Sequence, residues 1–298
     1  MNVSRLLRET AQRFSRAGLH YGHGTHNARE EAAWLISSVL GYLLEEEISP
    51  NAHKKIETLV RRRIRERIPL AYLLQEAWLG EHSFHVDKRA IVPRSFIAEL
   101  LRGQLRPWLT RDPRQVLDLC TGSGCLAVLL AIAFKNSRVD AADLSPQALE
   151  VARINIKQHA VGKRVRPVRS DLFRSLGKKK YGLIVSNPPY VTERSMRKLP
   201  KEYRHEPALA LAAGKDGLDL VHRILAEAKH HLTRGGLLVC EIGGNRKALE
   251  CAYPGLEFAW PETSDADSVF ILVREQLPEV TRTAAAPRMR SRRGRARR

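Results

Sequence analysis

Cysteine is scarce in this sequence, and long apolar runs are missing. The 298 residues include four cysteines, which have neither the spacing of zinc ligands nor a disulfide-rich pattern: Cys120, Cys125, Cys240 and Cys251. No apolar run reaches the length of a membrane span, and the amino-terminal stretch lacks the apolar core of a secretory signal. We therefore expect a reduced, cytoplasmic protein with no metal site and no membrane segment.

Acidic residues are too few to balance the basic ones. Lysine and arginine total 51 against 32 aspartates and glutamates, which gives a formal net charge of +19. Seven arginines lie in Arg288–Arg298, and without them residues 1–287 still carry +12. This charge favours a polyanionic partner, and we expect RNA contact through the basic surface and the Arg-rich tail. The alternative is a solvated tail that only improves solubility.

The spacing of apolar residues divides the chain into four regions. Residues 1–70 show helical spacing and are predicted to form a small helical domain. Residues 71–95 include WLGEHSFHVD, whose period of two predicts a β-hairpin linker. Residues 96–275 form the largest region, which opens with a predicted helix in SFIAELLRGQLRPWL. Residues 276–298 lose all periodicity and are predicted to be a disordered, Arg-rich tail.

Strand and helix patterns alternate from Gln115 onward. QVLDLCT and RVDAADL read as strands, and each is followed by a helical segment; the second helix has Ser145 as its N-cap and Pro146 in its first turn. This alternation predicts an α/β fold with a doubly wound, mostly parallel sheet. Ligands bind such sheets at the carboxyl ends of the strands. The loops after Leu119, Asp143, Asp171 and Asn187 should therefore converge.

The segment DLCTGSGCLA, Asp118 to Ala127, links the first of these strands to its helix. Gly122 and Gly124 allow tight turns and close approach of a ligand, and the helix that follows favours an anion. Asp143 lies 19 residues beyond Gly124, where an acidic side chain can bind two ribose hydroxyls. The pattern indicates a nucleoside cofactor, and by itself it fits both a nicotinamide cofactor and S-adenosylmethionine.

The segment LIVSNPPYVT places two prolines directly after a predicted buried strand. The side-chain carbonyl of Asn187 and the backbone carbonyl of Pro188 can accept both hydrogens of one planar NH2 group. Pro189 fixes the turn, and Tyr190 supplies an aromatic wall for a flat group. Alignment of such a weakly nucleophilic nitrogen with a sulfonium methyl group favours methyl transfer. The sequence offers no clear acid or base at a strand end for hydride transfer, so S-adenosylmethionine is the favoured cofactor.

Five segments together resemble the protein-(glutamine-N5) methyltransferase family. They are DLCTGSGC, RSDLF, SNPPYV, RHEPALALAAGKDGLDLV and LLVCEIG, and the resemblance extends from about Ala28 to Glu275. It implies a Rossmann-like methyltransferase domain that uses S-adenosyl-L-methionine. It also implies a hairpin linker and a helical amino-terminal domain that recognises the substrate.

The resemblance implies which residues bind the cofactor. Asp143 is expected to bind the ribose, and Asp171 and Leu172 are expected to flank the adenine. The full set expected to bind S-adenosyl-L-methionine is Asp118, Cys120, Thr121, Gly122, Ser123, Gly124, Asp143, Asp171, Leu172 and Asn187.

The resemblance also implies a substrate side to the site. Asn187, Pro188 and Tyr190 are expected to be catalytic by holding the glutamine amide, and Pro189 belongs to the same substrate-binding turn. Arg94 lies where the family has a substrate-side loop, so it is an expected substrate contact. A purely structural arginine is the alternative at that position.

Two details distinguish the branches of the family. The release-factor branch carries PRPDTE after the hairpin and a glycine at the position of Cys120. This chain instead has VPRSFIAELL, Val92 to Leu101, and resembles the branch that methylates large-subunit ribosomal protein L-three, apart from Phe96 where a proline is expected. We therefore expect that ribosomal protein as the substrate, with the basic surface close to RNA or a ribosomal precursor.

Three alternatives remain open at this point. The chain could methylate the Gly-Gly-Gln glutamine of a release factor, or the exocyclic amine of adenine in a flipped base. It could also be an RNA-binding assembly factor with little activity. The intact glycines, Asp143 and the Asn187–Tyr190 turn argue against this last reading.

Overall fold

The computed structural model describes residues 2–41 and 48–279, and it begins with a helical domain. The helices are α1 (Val3–Arg16), α2 (Ala28–Leu40), α3 (Pro50–Glu66) and α4 (Leu70–Leu74). Side-chain oxygens of Asn2, Asn27 and Ser49 accept backbone N–H groups at the starts of α1, α2 and α3, which satisfies donors that a helix leaves open. The apolar faces meet in one core around Phe14 and Leu35.

The predicted hairpin follows α4. Its strands β1 (Glu76–Leu79) and β2 (His82–His85) pair antiparallel, with Glu76 opposite His85. The buried Asn155 side chain binds both the backbone N–H of His85 (2.7 Å) and its carbonyl (3.0 Å). Asn155 also donates to the Ser123 carbonyl at 2.8 Å. One side chain therefore ties the hairpin to the glycine-containing loop.

The remaining strands form one six-stranded sheet in the order β5-β4-β3-β6-β7-β8. Neighbouring strands are parallel except for β8, which pairs antiparallel with β7. Strand order reverses at β3, whose two neighbours are β4 and β6, and ligand crevices form at such a point. The strands are β3 (Gln115–Leu119), β4 (Arg138–Asp143), β5 (Val165–Arg169), β6 (Tyr181–Ser186), β7 (Leu232–Glu241) and β8 (Val269–Val273).

Helices cover both faces of this sheet and enclose two apolar cores. As predicted, Ser145 caps α7 through the Ala148 N–H, and Pro146 is its first residue. The α-helices are α5 (Ile97–Leu100), α6 (Cys125–Ala133), α7 (Pro146–Gln158), α8 (Glu193–Met196), α9 (Asp219–His231) and α10 (Arg246–Ala252). Short 3-10 helices span Arg106–Trp108, Lys201–His205, Ala208–Ala210 and Arg274–Gln276. Among the described helices none is both long and apolar enough to cross a membrane.

Two details of the predicted organisation need correction. The long helix expected in SFIAELLRGQLRPWL is reduced to the single turn of α5, because Gly103 has a φ of +124° and Pro107 lacks an N–H. The tail begins later than position 276, since Leu277 is buried and its carbonyl accepts a hydrogen bond from Lys229. The Arg-rich part of the predicted tail, residues 280–298, lies outside the described residues.

Candidate active site

The loops that follow four parallel strands lie side by side at the carboxyl edge of the sheet. Leu119 at the end of β3 pairs with Ala142 on one side and Ser186 on the other. The Ser170 N–H, just after β5, donates to the Asp143 carbonyl at 2.9 Å. The expected convergence of these loops is therefore present.

The loop after β3 uses its two glycines differently. Gly124 has a φ of +78°, and a Cβ there would lie 2.9 Å from the Cβ of Ala152, so this glycine allows the loop to pack on α7. Gly122 has a φ of +55°, but a Cβ there would meet nothing within 4 Å. The space beside the Gly122 Cα is thus open. Cys120 also has a positive φ, +58°, where the release-factor branch has glycine.

Asp118 supports this loop from within β3. Its Oδ2 accepts a hydrogen bond from the Thr121 hydroxyl at 2.5 Å, and the side chain is fully buried. Burial raises the pKa of Asp118 to about 7, although the Thr121 hydrogen bond opposes that shift. Its Oδ1 has no hydrogen-bond partner among the described residues. Asp118 therefore shapes the loop and leaves one buried acceptor beneath it.

Asp143 connects the same loop to the end of β4. Its Oδ2 accepts the Gly122 N–H and its Oδ1 accepts the Ser145 N–H, each at 2.8 Å. Burial raises the pKa of Asp143, and these backbone donors work in the opposite direction. A carboxylate oxygen accepts more than one hydrogen bond, so Asp143 retains capacity for a ligand while it orients the loop.

Asp171 and Leu172 lie in the loop after β5. Leu172 is buried with a φ of +47°, and its carbonyl accepts the Ser170 hydroxyl at 2.6 Å. Asp171 pairs with Arg223 of α9 at 2.7 Å, which sequence reasoning did not predict. Arg223 belongs to a regular amphipathic helix, and no local pattern distinguishes it from other exposed arginines. The ion pair orients Asp171 at the carboxyl edge.

The Asn187–Tyr190 turn begins directly after β6. Pro188 and Pro189 are buried, and Asn187 is half-buried. Neither the Asn187 side chain nor the Pro188 carbonyl forms a hydrogen bond with any residue in the described ranges. Both acceptors named by the sequence therefore have no protein partner within the described ranges.

Three residues that sequence reasoning missed fix the position of Tyr190. The Asn245 side chain donates to the Tyr190 carbonyl at 2.9 Å and to the Ile242 carbonyl at 3.0 Å. The Tyr190 ring covers Gly243, where a Cβ would lie 2.8 Å from its Cε2. A Cβ at Gly217 would lie 2.5 Å from the Tyr190 carbonyl oxygen. Gly217 lies in RHEPALALAAGKDGLDLV and Gly243 in LLVCEIG, two segments that resemble the family. That resemblance was the sequence evidence that could have identified both glycines.

Arg94 is held by a buried carboxylate. Its two terminal nitrogens donate to the two oxygens of Glu206 at 2.7 Å each, and the Val92 N–H donates to Glu206 at 3.0 Å. Burial opposes ionisation of Glu206, but the hydrogen bonds and charge of Arg94 outweigh it and lower its pKa to about 2. The Arg94 guanidinium also faces the Tyr203 ring at 5.4 Å. Its predicted substrate contact stays a prediction, because the structure shows it bound within the protein.

A second buried charge network joins the helical domain to the segment after the turn. Arg63 of α3 pairs with Glu31 at 2.6 Å and with Glu202 at 3.3 Å, and all three side chains are almost fully buried. The His20 N–H also donates to Glu202 at 3.1 Å. The helical domain therefore anchors residues 201–205 next to Glu206.

Glu241 ends β7 close to these groups. Its Oε2 accepts the Ser95 hydroxyl at 2.6 Å and the Phe96 N–H at 3.0 Å, so it fixes the start of α5. Its Oε1 is buried with no partner in the described part of the chain. Burial raises the pKa of Glu241 to about 7.

The side chains that the structure describes do not form a cluster of metal ligands. Across residues 2–41 and 48–279, no group of three or more histidine, cysteine, aspartate or glutamate side chains could hold a metal ion. All four cysteines are free, and burial raises the pKa of Cys120, Cys125 and Cys240.

The sheet order, the glycine loop after β3 and the acid that ends β4 define a Rossmann-like nucleoside-binding fold, and the comparisons with known proteins identify it as a methyltransferase. Residues 99–202 match the family described as Methyltransferase small domain. A solved structure of the hMettl16 catalytic domain in complex with MAT2A 3'UTR hairpin 1 shares the fold, with a TM-score of 0.51 and 16% identity over 81% of this chain and 89% of that one.

Similar curated proteins identify the family within the methyltransferases to which this chain belongs. A ribosomal protein uL3 glutamine methyltransferase from Neisseria meningitidis serogroup A is 48% identical over 282 residues, which covers 91% of this chain and 93% of the relative. One from Bordetella pertussis is 48% identical over 91% of this chain and 95% of its own. One from Burkholderia pseudomallei is 45% identical over 93% and 96%. The chain belongs to the family of ribosomal protein uL3 glutamine methyltransferases, as the motifs indicated.

Proposed function

We propose that this protein transfers a methyl group from S-adenosyl-L-methionine to the side-chain amide nitrogen of a glutamine in ribosomal protein uL3. The observation that carries the proposal is the pair of carbonyl acceptors at Asn187 and Pro188, which have no hydrogen-bond partner among the described residues and lie beside the loop after β3. The similarity to uL3 glutamine methyltransferases along nearly the whole chain supports the substrate. A protein that acts on a ribosomal protein is expected in the cytoplasm.

The residues of the carboxyl edge fit the cofactor. The open space beside Gly122 and the free acceptor capacity of Asp143 suit a nucleoside, with Asp143 on the ribose hydroxyls. Asp171 and Leu172 would flank the adenine, and Asp118 would support the loop from below. The loop residues that would surround the remaining part of the molecule are Cys120, Thr121, Gly122, Ser123 and Gly124. When bound, S-adenosyl-L-methionine supplies an electrophilic methyl group on a positively charged sulfur.

The turn after β6 would hold the substrate amide. Asn187 Oδ1 and the Pro188 carbonyl accept the two amide hydrogens, which orients a nitrogen whose lone pair is otherwise delocalised. The amide nitrogen held there would take the methyl group, the sulfur would keep the electron pair of the broken bond and leave as a neutral thioether, and the nitrogen would release one proton to water. Tyr190 lies against Gly243 and covers one face of the amide, while Pro189 keeps the turn rigid.

The helical domain and Arg94 would act on the substrate side. Arg94 remains partly exposed, with 22% of its side chain accessible, while its guanidinium binds Glu206. We assign substrate recognition to the surface formed by the helical domain and this arginine. The excess positive charge supports contact with RNA close to the ribosomal substrate.

The test is a transfer assay with methyl-labelled S-adenosyl-L-methionine. Purified uL3 and a release factor with its Gly-Gly-Gln motif are offered separately, and the product is mapped by mass spectrometry. A methyl group on a uL3 glutamine is the expected result. Labelling of the release factor alone overturns the substrate, and label that survives protease but not nuclease treatment of an RNA or DNA substrate replaces the amide with an adenine amine.

A further inference from the structure

Two open cavities lie at the amino edge of the six-stranded sheet, away from the active-site loops. One has a volume of about 530 Å³ and is bordered by the first residues of β3, β6 and β7. The other has a volume of about 820 Å³ and is bordered by the first residues of β3, β4 and β5. Gln115 and Lys180 line both, so the cavities adjoin. We call the combined surface the amino-edge groove.

The amino-edge groove is strongly basic. Six of its cations are exposed and have no carboxylate partner among the described residues: Arg111, Arg114, Arg138, Lys163, Lys180 and Arg234.

The carboxylates of the groove are already paired. Asp140 binds Arg166 and Lys179 at 2.9 Å each, and Asp112 binds Arg106 at 2.9 Å. The remaining field therefore has one sign, and a concave surface with such a field concentrates polyanions.

The described chain also ends at this edge. Because α9 runs directly into β7, its carboxyl end lies beside the amino end of that strand. Glu279 pairs with Lys229 near the end of α9 at 3.1 Å, and Lys180 of the groove donates to the His230 carbonyl one residue later. The sequence beyond Glu279 contains eight arginines in residues 280–298. Their attachment point is thus next to the groove.

We propose that the amino-edge groove binds the phosphate backbone of RNA. The choice of RNA among polyanions rests on the proposed function, because the substrate there is a protein of the ribosome. A groove can follow a rod-shaped polyanion, whereas a bilayer presents a flat sheet of charge. Trp108 is 39% exposed and immediately precedes Leu109 of the groove, which places a ring for base stacking nearby.

This arrangement separates two contacts of one enzyme. Methyl transfer uses the carboxyl edge of the sheet, and RNA contact uses the opposite edge. The protein can therefore remain on RNA while a segment of uL3 enters the active site. RNA binding would raise the local concentration of the substrate without changing the chemistry.

The test measures binding of a fluorescein-labelled, 20-nucleotide single-stranded RNA to the full-length protein by anisotropy, from 50 to 200 mM KCl. The groove variant carries Arg114→Ala, Arg138→Ala and Lys163→Ala. The matched control removes three exposed cations of α3, with Lys54→Ala, Lys55→Ala and Arg65→Ala. We expect the groove variant to lose about tenfold to 100-fold in affinity and its salt slope to fall by about 2, and the control to lose less than about threefold.

Additional comparisons show whether the loss of RNA affinity comes from the groove. Equal affinities for the groove variant and the control overturn the proposal. So does complete loss in a tail variant (Arg292→Ala, Arg293→Ala, Arg295→Ala) with no loss in the groove variant. Binding to phosphatidylserine vesicles but not to RNA replaces the partner with a membrane.

Methyl transfer to free uL3 is measured in the same proteins. The groove variant is expected to stay within about twofold of the unmodified protein, since distant sites contribute independently. A larger loss contradicts the separation of the two edges. If the unmodified protein methylates no uL3 while the groove variant still loses RNA, the proposed function fails and the groove assignment stands.

Discussion

The carboxyl and amino edges of the six-stranded sheet differ in the burial and pairing of their charged side chains. At the carboxyl edge, Asp143, Glu206 and Glu241 are buried or nearly buried, and each accepts specific hydrogen bonds. At the amino edge, cations such as Arg114 and Arg138 are exposed and unpaired within the described residues. Buried, hydrogen-bonded groups act through position, whereas exposed groups act through a field that salt screens. A carboxyl-edge substitution should therefore cause effects that salt does not erase.

The largest effect is expected at the buried pair of Arg94 and Glu206. Glu206→Gln removes the fully buried carboxylate that balances the partly exposed Arg94 guanidinium, and it should lower the free energy of unfolding by about 3 kcal/mol at pH 7. Glu150→Gln is the matched control, because the carboxylate of the Arg89–Glu150 pair is 58% exposed, and it should cost less than about 1 kcal/mol. Urea unfolding gives both values.

The pH dependence of the same pair has a defined sign. The pKa of Glu206 falls from 4.5 to about 2 in the folded protein, so the folded state binds fewer protons between these values. The stabilisation is complete above pH 4.5 and is lost as pH falls toward 2. The stability difference between the unmodified protein and Glu206→Gln should shrink over that range, and a constant difference would mean that the ion pair is not its source.

The turn after β6 should give the next largest effect, on rate. Asn187→Ala removes one of the two acceptors proposed to align the amide, and turnover should fall about 100-fold or more. Cofactor affinity, measured by calorimetry, should change by less than about threefold, because the proposed role of Asn187 is mainly toward the substrate. Arg138→Ala at the amino edge is the comparison and should leave turnover unchanged. An Asn187 variant that mainly weakens cofactor binding contradicts the assigned role.

Asp143→Asn should show the reverse pattern. Asparagine keeps the shape but replaces one acceptor oxygen with a donor, so it loses the contact with the Gly122 or Ser145 N–H or with the ribose. We expect cofactor affinity to fall about tenfold, with a smaller change in turnover at saturating cofactor. If turnover at saturation falls as far as in Asn187→Ala, cofactor and substrate roles are not divided between the two loops.

The smallest effect is expected at Glu241, and it should change sign with pH. The pKa of Glu241 rises from 4.5 to about 7 on folding, so the stability of the unmodified protein falls as pH rises between these values. Glu241→Gln removes the charge but buries an unpaired NH2 group. The variant should be about 1 kcal/mol more stable than the unmodified protein at pH 8 and less stable at pH 5. A difference independent of pH would show that folding does not shift the pKa of Glu241.

The sequence predicted the fold and the motif positions because these are encoded locally. The period of two in WLGEHSFHVD predicted the hairpin of β1 and β2, and the strand–helix alternation from Gln115 predicted the mostly parallel sheet. The Asn187–Tyr190 turn was readable because two prolines end a strand. The exception was the helix after Ser95. The helical spacing of apolar residues continues past Gly103, but the helix itself ends at Leu100.

Contacts between distant residues could not be predicted in the same way. Arg94 and Glu206 lie 112 positions apart, and Asn245 and Tyr190 lie 55 apart. Such pairs depend on how the chain folds in three dimensions, and many arginines and asparagines share the same local pattern. Sequence reasoning therefore placed Arg94 on the substrate side without its carboxylate partner.

The hydrogen bonds of Asn155 have a consequence for local stability. Because one buried side chain holds His85 of the hairpin and Ser123 of the loop after β3, opening of either segment weakens the other. The His85 amide hydrogen, bound to Asn155, should therefore exchange with deuterated solvent more slowly whenever the loop is held closed. Exchange of the His85 amide hydrogen would therefore report ligand binding at the loop after β3, through Asn155.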